Sequence, residues 1–153
     1  MRAHLAGIAA VAQTVQAGGQ NLPVYDSAAI KPDSDPRNWT AAVPSTWSIE
    51  FPYIMLSGAN FPDVSAVYSR SKTYVKGLLN VTYVGTSANQ VRWLIEQVRP
   101  TLTDSTPTVS GFTTELKFRS AAVGPNPDFD VTLADGRNVF MAVDQFDYFA
   151  NPT

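Results

Sequence analysis

The chain has 153 residues, of which 44% are hydrophobic and 16% charged, a composition typical of one globular domain over residues 1–153. A net charge of −2 argues against a protein that binds nucleic acid by neutralising many phosphates. The chain contains no cysteine, which excludes disulfide scaffolds, thiolate zinc sites and thiol catalysis.

The N-terminal segment predicts an amphipathic helix from Arg2 to Val15, ended by the pair Gly18-Gly19. Its apolar residues recur at helical spacing: Leu5, Ile8, Ala12 and Val15. A cleaved signal peptide is the alternative, because basic residues precede an apolar run and the triplet 15–17 resembles a cleavage site. Glutamines interrupt the run, and this favours a retained helix.

A long loop is predicted at residues 26–50, after a short strand at 22–25. The loop contains Pro36 and Pro44, and proline removes a backbone donor and fixes φ. Loops of this length in compact domains are usually functional or bound to a partner. Trp39 and Trp47 are therefore candidate interface anchors, with the two prolines beside them. The alternative is that both tryptophans fold back onto the domain.

The densest basic stretch contains Arg70, Lys72 and Lys76. We interpret it as a solvated run, and we keep Arg70 and Lys72 as candidate interface residues. Residues 64–70 are predicted to begin a strand or an extended arm.

Two strands are predicted in the middle of the chain. Residues 51–56 read as a buried strand with Pro52 at its start. Residues 74–84 read as a strand covered mainly on one side, and its buried face carries Val75, Leu79, Val81 and Tyr83.

The clearest helix is predicted at residues 87–102. Thr86 or Ser87 can cap it, and Gln90 lies at the spacing of a capping box. Pro100 is expected to end or kink it. Its apolar stripe consists of Val91, Leu94, Ile95, Val98 and Leu102, and its outward residues are Arg92, Glu96 and Arg99.

The C-terminal third predicts antiparallel strands. Residues 112–119 alternate as in a half-buried strand, which residues 124–127 (Gly-Pro-Asn-Pro) are expected to break. Strands at 129–133 and 139–148 are expected to form a hairpin through Asp135-Gly136. The predicted class is α+β: a mainly antiparallel sheet of four to six strands with two helices packed on one face.

The search for catalytic chemistry identifies no candidate site. The single histidine, His4, is expected at the surface, and no nucleophile elbow, Walker or dinucleotide motif is present. Asp128, Asp130 and Asp135 do not match an EF-hand loop, and we expect no metal ligand and no cofactor. A non-enzymatic protein is predicted. A small hydrolase acting through carboxylates is the alternative, although Asp144 and Asp147 are expected on opposite faces of one strand.

The order of elements resembles that of the tail terminator proteins of long-tailed bacteriophages, also called minor tail or tail completion proteins. The resemblance covers most of the chain, and its most specific part is the Phe-Pro-Tyr-hydrophobic segment at 51–56. The other matching features are the short N-terminal helix, the strand at 78–84, the helix at 87–102 and the closing strand at 139–149. The loop at 26–50 is longer than the family pattern.

The resemblance implies a structural virion protein located in the tail or neck and assembled in the host cytoplasm. It implies a homo-oligomeric ring, typically hexameric, that caps the tail tube and contacts head–tail connector or stopper proteins. DNA would pass through its channel without sequence-specific binding, and no membrane would be involved. A head–tail connector or head-completion subunit is a close variant. A secreted binding module is the alternative from another class, indicated by the signal-like N-terminus and the Asn-x-Thr patterns at Asn38 and Asn80.

Overall fold

The computed structural model describes residues 2–17, 19–26, 51–59, 75–132, 136 and 138–153. Of the predicted loop at 26–50, only Asp26 is described, and it ends a strand; the rest of the loop and the predicted strand or arm at 64–70 lie outside these ranges. The elements in chain order are α1 (Arg2–Ala12), β1 (Gln16–Ala17), β2 (Gln20–Asn21), β3 (Val24–Asp26), β4 (Tyr53–Ala59), β5 (Val75–Gly85), α2 (Ala88–Leu102), β6 (Phe112–Thr132) and β7 (Asn138–Pro152).

The main sheet has five strands in the order β3-β4-β5-β7-β6. β3 pairs with β4 in parallel, and the other neighbouring strands are antiparallel. Side chains from α1, α2 and one face of this sheet form a shared hydrophobic core. The predicted class, an α+β fold with a mainly antiparallel sheet and two helices on one face, is confirmed.

The core follows the periodicity of the sequence. The predicted buried face of β5 is confirmed, and Leu79 lies opposite Phe146 of β7, both fully buried. The predicted stripe of α2 is buried at Val91, Leu94, Val98 and Leu102, with Ile95 partly buried. Apolar faces with periods of 2 and 3.6 residues therefore meet between the sheet and the helices.

α1 ends at Ala12, three residues before the predicted end. The Thr14 hydroxyl donates to the Val11 carbonyl at 2.7 Å, and the Val15 carbonyl accepts from the Leu22 N–H at 2.9 Å. These bonds replace helical ones and lead into the small hairpin of β1 and β2, where Gly19 has φ of 80°. Val15 remains buried. The apolar periodicity therefore predicted its burial correctly but overestimated the length of the helix.

α2 begins as the capping motif predicts. Ser87 is the N-cap, and its hydroxyl accepts from the Gln90 N–H at 3.2 Å. The Gln90 side-chain oxygen accepts from the Thr86 N–H at 2.7 Å, one residue before the cap, where a standard capping box would use the cap residue itself. The helix continues through Pro100 to Leu102.

The expected break at residues 124–127 is wrong, because β6 runs without interruption from Phe112 to Thr132. Between the pairs Phe118–Phe146 and Thr132–Asn138, β6 advances by 14 residues and β7 by only 8, with register shifts along the way. Extra residues are accommodated as bulges, and proline is tolerated on an edge strand because one side of its backbone needs no partner. The edge position of β6, which the local sequence does not reveal, explains the difference.

Candidate assembly surface

The residues selected from the sequence as interface candidates lie outside the described part of the chain. These residues are Pro36, Trp39, Pro44, Trp47, Arg70 and Lys72. In the described part of the chain, other elements must therefore supply a candidate surface.

His4 is buried, with 4% of its surface exposed, so its expected surface position is wrong. Its Nδ1 forms a 2.7 Å hydrogen bond with the Tyr148 hydroxyl, and its ring packs edge-on against Phe112 at 4.9 Å between centroids. Burial, assisted by the nearby N-terminal charge, lowers the pKa of His4. Burial also raises the pKa of Tyr148 to about 12. The neutral His4 imidazole therefore links α1 to β7 through the hydrogen bond and to β6 through the ring contact.

The sequence contained a signal for this burial. His4 precedes Ile8 and Ala12 by one and two helical turns, so it lies on the same side of α1 as these fully buried residues. The helical phase of His4 was a better guide than its place near the start of the chain.

The Asp144 carboxylate is the centre of a buried polar network. It accepts two bonds of 2.8 Å from the Arg99 guanidinium, on Oδ2 from Nε and on Oδ1 from Nη2. The Tyr83 hydroxyl donates to Oδ2, also at 2.8 Å. Burial, followed by the charge of Asp144, raises the pKa of Tyr83, and the hydrogen bond to Asp144 raises the pKa of Arg99.

This network joins three elements, since Tyr83 lies in β5, Arg99 in α2 and Asp144 in β7. The Arg99 guanidinium also lies 4.7 Å from the centre of the Phe118 ring in β6. Arg99 was expected to point outward, but its side chain is only 34% exposed because the buried Asp144 beneath it needs a partner. The carboxylate is enclosed and fully engaged, so it holds the fold together and offers no free acid or base.

Asp144 and Asp147 lie on opposite faces of β7, as expected. Asp147 pairs with Arg119 at 3.2 Å on the side away from Asp144. Among the described residues, no group of three histidines or acidic side chains could hold a metal ion. Asp135, the last residue of the loose carboxylate pattern at 128–135, lies outside the described ranges.

Residues 104 and 105 hydrogen-bond to the outer edge of the first half of β6. The exposed face of this half carries charged side chains. The Asp104 N–H donates to the Leu116 carbonyl, and the Leu116 N–H donates to the Ser105 carbonyl, both at 2.9 Å. Lys117 lies 2.7 Å from both Asp104 and Glu115 in exposed ion pairs. Such pairs contribute little stability, but they mark this part of the strand as solvated.

The second half of β6 differs in character. Residues 120–127, which we call the neutral arm, read Ser-Ala-Ala-Val-Gly-Pro-Asn-Pro and contain no charged residue. Most of the arm is exposed, and Val123 is 40% exposed. Exposed apolar and uncharged residues on an edge strand are typical of a surface that contacts another protein.

α2 presents a second exposed apolar side chain, Trp93, which is 37% exposed. The sequence analysis missed it, although helical periodicity identifies it: Trp93 follows Val91 and precedes Leu94, yet lies opposite the stripe they share with Val98. Tryptophan is the residue most enriched among the energetically important residues of interfaces. Trp93 and the neutral arm are therefore the strongest interface candidates of the described chain.

Comparison with known protein families found no matching family model, and comparison with characterised protein sequences found no match. No helix in the described ranges is long and apolar enough to cross a membrane.

Proposed function

We propose that the protein is a structural virion subunit, a ring-forming tail terminator at the head–tail interface that caps the tail tube and contacts the neck. The observation that carries this proposal is the neutral arm, an exposed and uncharged segment on the edge strand of the sheet. A surface of this kind suits repeated contacts between copies of one chain. The order of elements from α1 to β7 agrees with the arrangement on which the family resemblance rests.

The packing of α1 supports this proposal over a secreted binding module. Leu5, Ile8 and Ala12 are buried in the core that α1 shares with α2 and the sheet. Cleavage near Gly18 would remove these side chains and expose the surfaces beneath them. Each large apolar side chain lost from a core costs about 2–5 kcal/mol, so the fold needs this helix.

The buried carboxylate and the buried histidine of the described residues likewise bond to other elements of the fold. The Asp144 carboxylate is held by Arg99 and Tyr83, and His4 by Tyr148. These groups join elements of the fold, which fits a structural subunit better than a hydrolase that acts through carboxylates.

The test is the assembly state of the purified chain, measured by light scattering and electron microscopy. A ring of about 100 kDa is expected if six copies assemble, against 16.6 kDa for one chain. Addition of the ring to growing tail tubes should stop their elongation, with the ring visible at one end. A chain that stays monomeric at high concentration and does not bind tail tubes would contradict the proposal. A ring that binds connectors and not tubes would identify the connector variant instead.

A further inference from the structure

The face of the sheet opposite the helices, which we call the second face, carries three enclosed apolar side chains. Tyr53 of β4, Val84 of β5 and Val139 of β7 are 0%, 2% and 1% exposed. Tyr53 and Val84 are paired across their strands and therefore share a face. The residues that follow Tyr53 and Val139 in the chain contact the core shared with the helices. Because side chains alternate along a strand, the three enclosed residues point to the other side of the sheet.

These three side chains need a covering layer. Among the described elements, both helices pack on the opposite side of the sheet. The Phe51 ring lies 5.4 Å from the Tyr53 ring, but Val139 is two strands away from β4. A fully enclosed side chain has neighbours on every side, so further residues must lie above the second face. The rest of the chain offers two long segments, residues 27–50 and 60–74, both outside the described ranges.

The strand order contains two connections between parallel strands. β5 and β6 are parallel, because each pairs antiparallel with β7 between them, and the chain connects them through α2 on the helix side. β3 and β4 are also parallel, but they run opposite to β5. Both connections move across the sheet in the same direction, from the β3 edge toward the β6 edge.

The handedness of these connections decides which face each one crosses. Connections between parallel strands of one sheet are right-handed in about 98% of cases. For a fixed direction of movement across the sheet, reversing the strands reverses the face on which a right-handed connection lies. Since α2 connects β5 to β6 on the helix side, a right-handed connection from β3 to β4 lies on the second face. Residues 27–50 form most of that connection.

The position of the enclosed side chains agrees with this assignment. Tyr53 begins β4, so the enclosed residues lie at the end of the sheet where the connection from β3 returns. Residues 60–74 instead join the opposite ends of β4 and β5. The segment 27–50 is also about twice as long as the dozen residues that a parallel connection needs, so it has chain to spare for covering a surface.

We propose that residues 27–50 cross the second face and that Trp47 packs over Tyr53, Val84 and Val139. Trp47 is the side chain chosen because it lies six residues before Tyr53 and is the larger apolar group nearest to it in the segment. Of the two alternatives for this tryptophan, the contact selects the one in which it folds back onto its own domain. The second face is then a second core of the single chain, and the inference does not depend on the proposed function.

The first experiment uses the absence of cysteine in the chain. Ser45→Cys, beside Trp47, is combined in one chain with Thr82→Cys on the second face and treated with a short bis-maleimide. The matched control combines Ser45→Cys with Gln97→Cys on the exposed side of α2. Both chains retain all three tryptophans. The pair 45 and 82 should become linked within one chain, and the pair 45 and 97 should not.

A mixture of isotope-labelled and unlabelled chains shows whether a link joins one copy or two. Failure of the pair 45 and 82 to link, or equal linkage of the control pair, would overturn the inference. Linked peptides from one labelled and one unlabelled chain would show that a neighbouring copy supplies the cover, which also overturns it.

The second experiment follows the fluorescence of Trp47 alone, in a chain with Trp39→Phe and Trp93→Phe. Its emission should be shifted to shorter wavelength than in the same chain unfolded in urea, because the indole is removed from water. A nitroxide attached at Thr82→Cys should quench this emission, and the same label at Gln97→Cys should leave it nearly unchanged. Emission at the wavelength of the unfolded chain, or equal quenching from both positions, would contradict the inference.

Both experiments measure contacts within a single chain. A protein that stays monomeric and ignores tail tubes would contradict the proposed function while the link between positions 45 and 82 still forms. A ring that assembles normally without that link would overturn this inference and leave the proposed function intact.

Discussion

At the scale of single residues, the fold depends on polar groups that are buried with a partner. Asp144 is enclosed with Arg99 and Tyr83, and His4 is enclosed with Tyr148. Burying a charged or polar group without its partner lowers the stability of the fold. These residues therefore restrict which elements can pack together more than apolar contacts do.

Arg99→Met should destabilise the protein by about 3 kcal/mol, because it leaves the Asp144 carboxylate buried without its cation. The lower part of the usual range applies since the Arg99 side chain is 34% exposed. Arg92→Met on the exposed side of α2 is the matched control and should change stability by less than about 0.5 kcal/mol. Urea unfolding measures both, and equal losses would show that the Arg99–Asp144 contact adds nothing specific.

His4 should make stability depend on pH near neutrality. Its pKa in the folded state lies below the ordinary value of 6.5, so the unfolded chain takes up the proton more readily. The contribution is fully present above pH 6.5 and is lost as the pH falls toward the lower folded-state pKa. His4 contacts Tyr148, whose pKa is about 12, and the uncharged ring of Phe112, so neither contact titrates in this range. The N-terminal amine, whose charge also lowers the pKa of His4, ordinarily titrates at about pH 8, so the comparison with a variant that lacks only the histidine isolates its contribution.

His4→Phe should reduce the difference in unfolding free energy between pH 8 and pH 5. Tyr148→Phe keeps the titrating imidazole and should preserve that difference, although it removes the hydrogen bond. Equal pH dependence in the original protein and His4→Phe would show that the histidine does not contribute.

At the scale of elements, the sequence predicted what local chemistry determines. The cap at Ser87 and the buried stripe of α2 followed from spacing alone, as did the alternating burial of β5. The break in β6 was predicted wrongly because strand edges are set by neighbours that a local reading does not include. Trp93 was missed because α2 was analysed for its buried stripe and its charges, and the exposed apolar position between them was not considered.

Ser87→Ala should cost about 1 kcal/mol, because the Gln90 N–H loses the cap hydroxyl that accepts its hydrogen bond. Ser87→Asp is the matched control and should retain most of the stability, since aspartate caps equally well. Thermal unfolding of the two variants gives the comparison. A similar loss in both would assign the effect to something other than the cap.

Gly7→Ala should destabilise the protein, although alanine normally stabilises a helix by about 1 kcal/mol relative to glycine. A Cβ atom at Gly7 would lie 2.7 Å from the backbone oxygen of Thr108, closer than such atoms approach. Ala10→Gly at an exposed position of α1 provides the reference for helix propensity alone. Increased stability of Gly7→Ala, measured by urea unfolding, would show that the helix does not approach the 105–109 segment so closely.

At the scale of the whole molecule, the edge strand β6 presents a charged part followed by a neutral part. Ion pairs at Glu115, Lys117 and Arg119 occupy the first half of β6, and the neutral arm follows directly. Charged residues are depleted at the centre of protein interfaces, so a contact at the neutral arm would leave the charged first half of β6 exposed to solvent.

Ala122→Lys should therefore weaken assembly without lowering the stability of the single chain, because it places an unpaired charge in the contact. Thr113→Lys introduces the same side chain on the solvated half of the same strand and should leave assembly unchanged. Analytical ultracentrifugation of both variants makes the comparison. Equal behaviour would exclude the arm from the interface.

The contact between His4 and Tyr148 joins positions separated by 144 residues. β5 likewise pairs with β7, which follows α2 and β6 in the chain. During synthesis, therefore, α1 emerges from the ribosome long before the strand that receives it. Contacts so distant in sequence slow folding, and the first half of the chain keeps apolar surface uncovered until β7 is made. Folding of this sheet is therefore a late event in the synthesis of each chain, completed only when its closing strand β7 has been made.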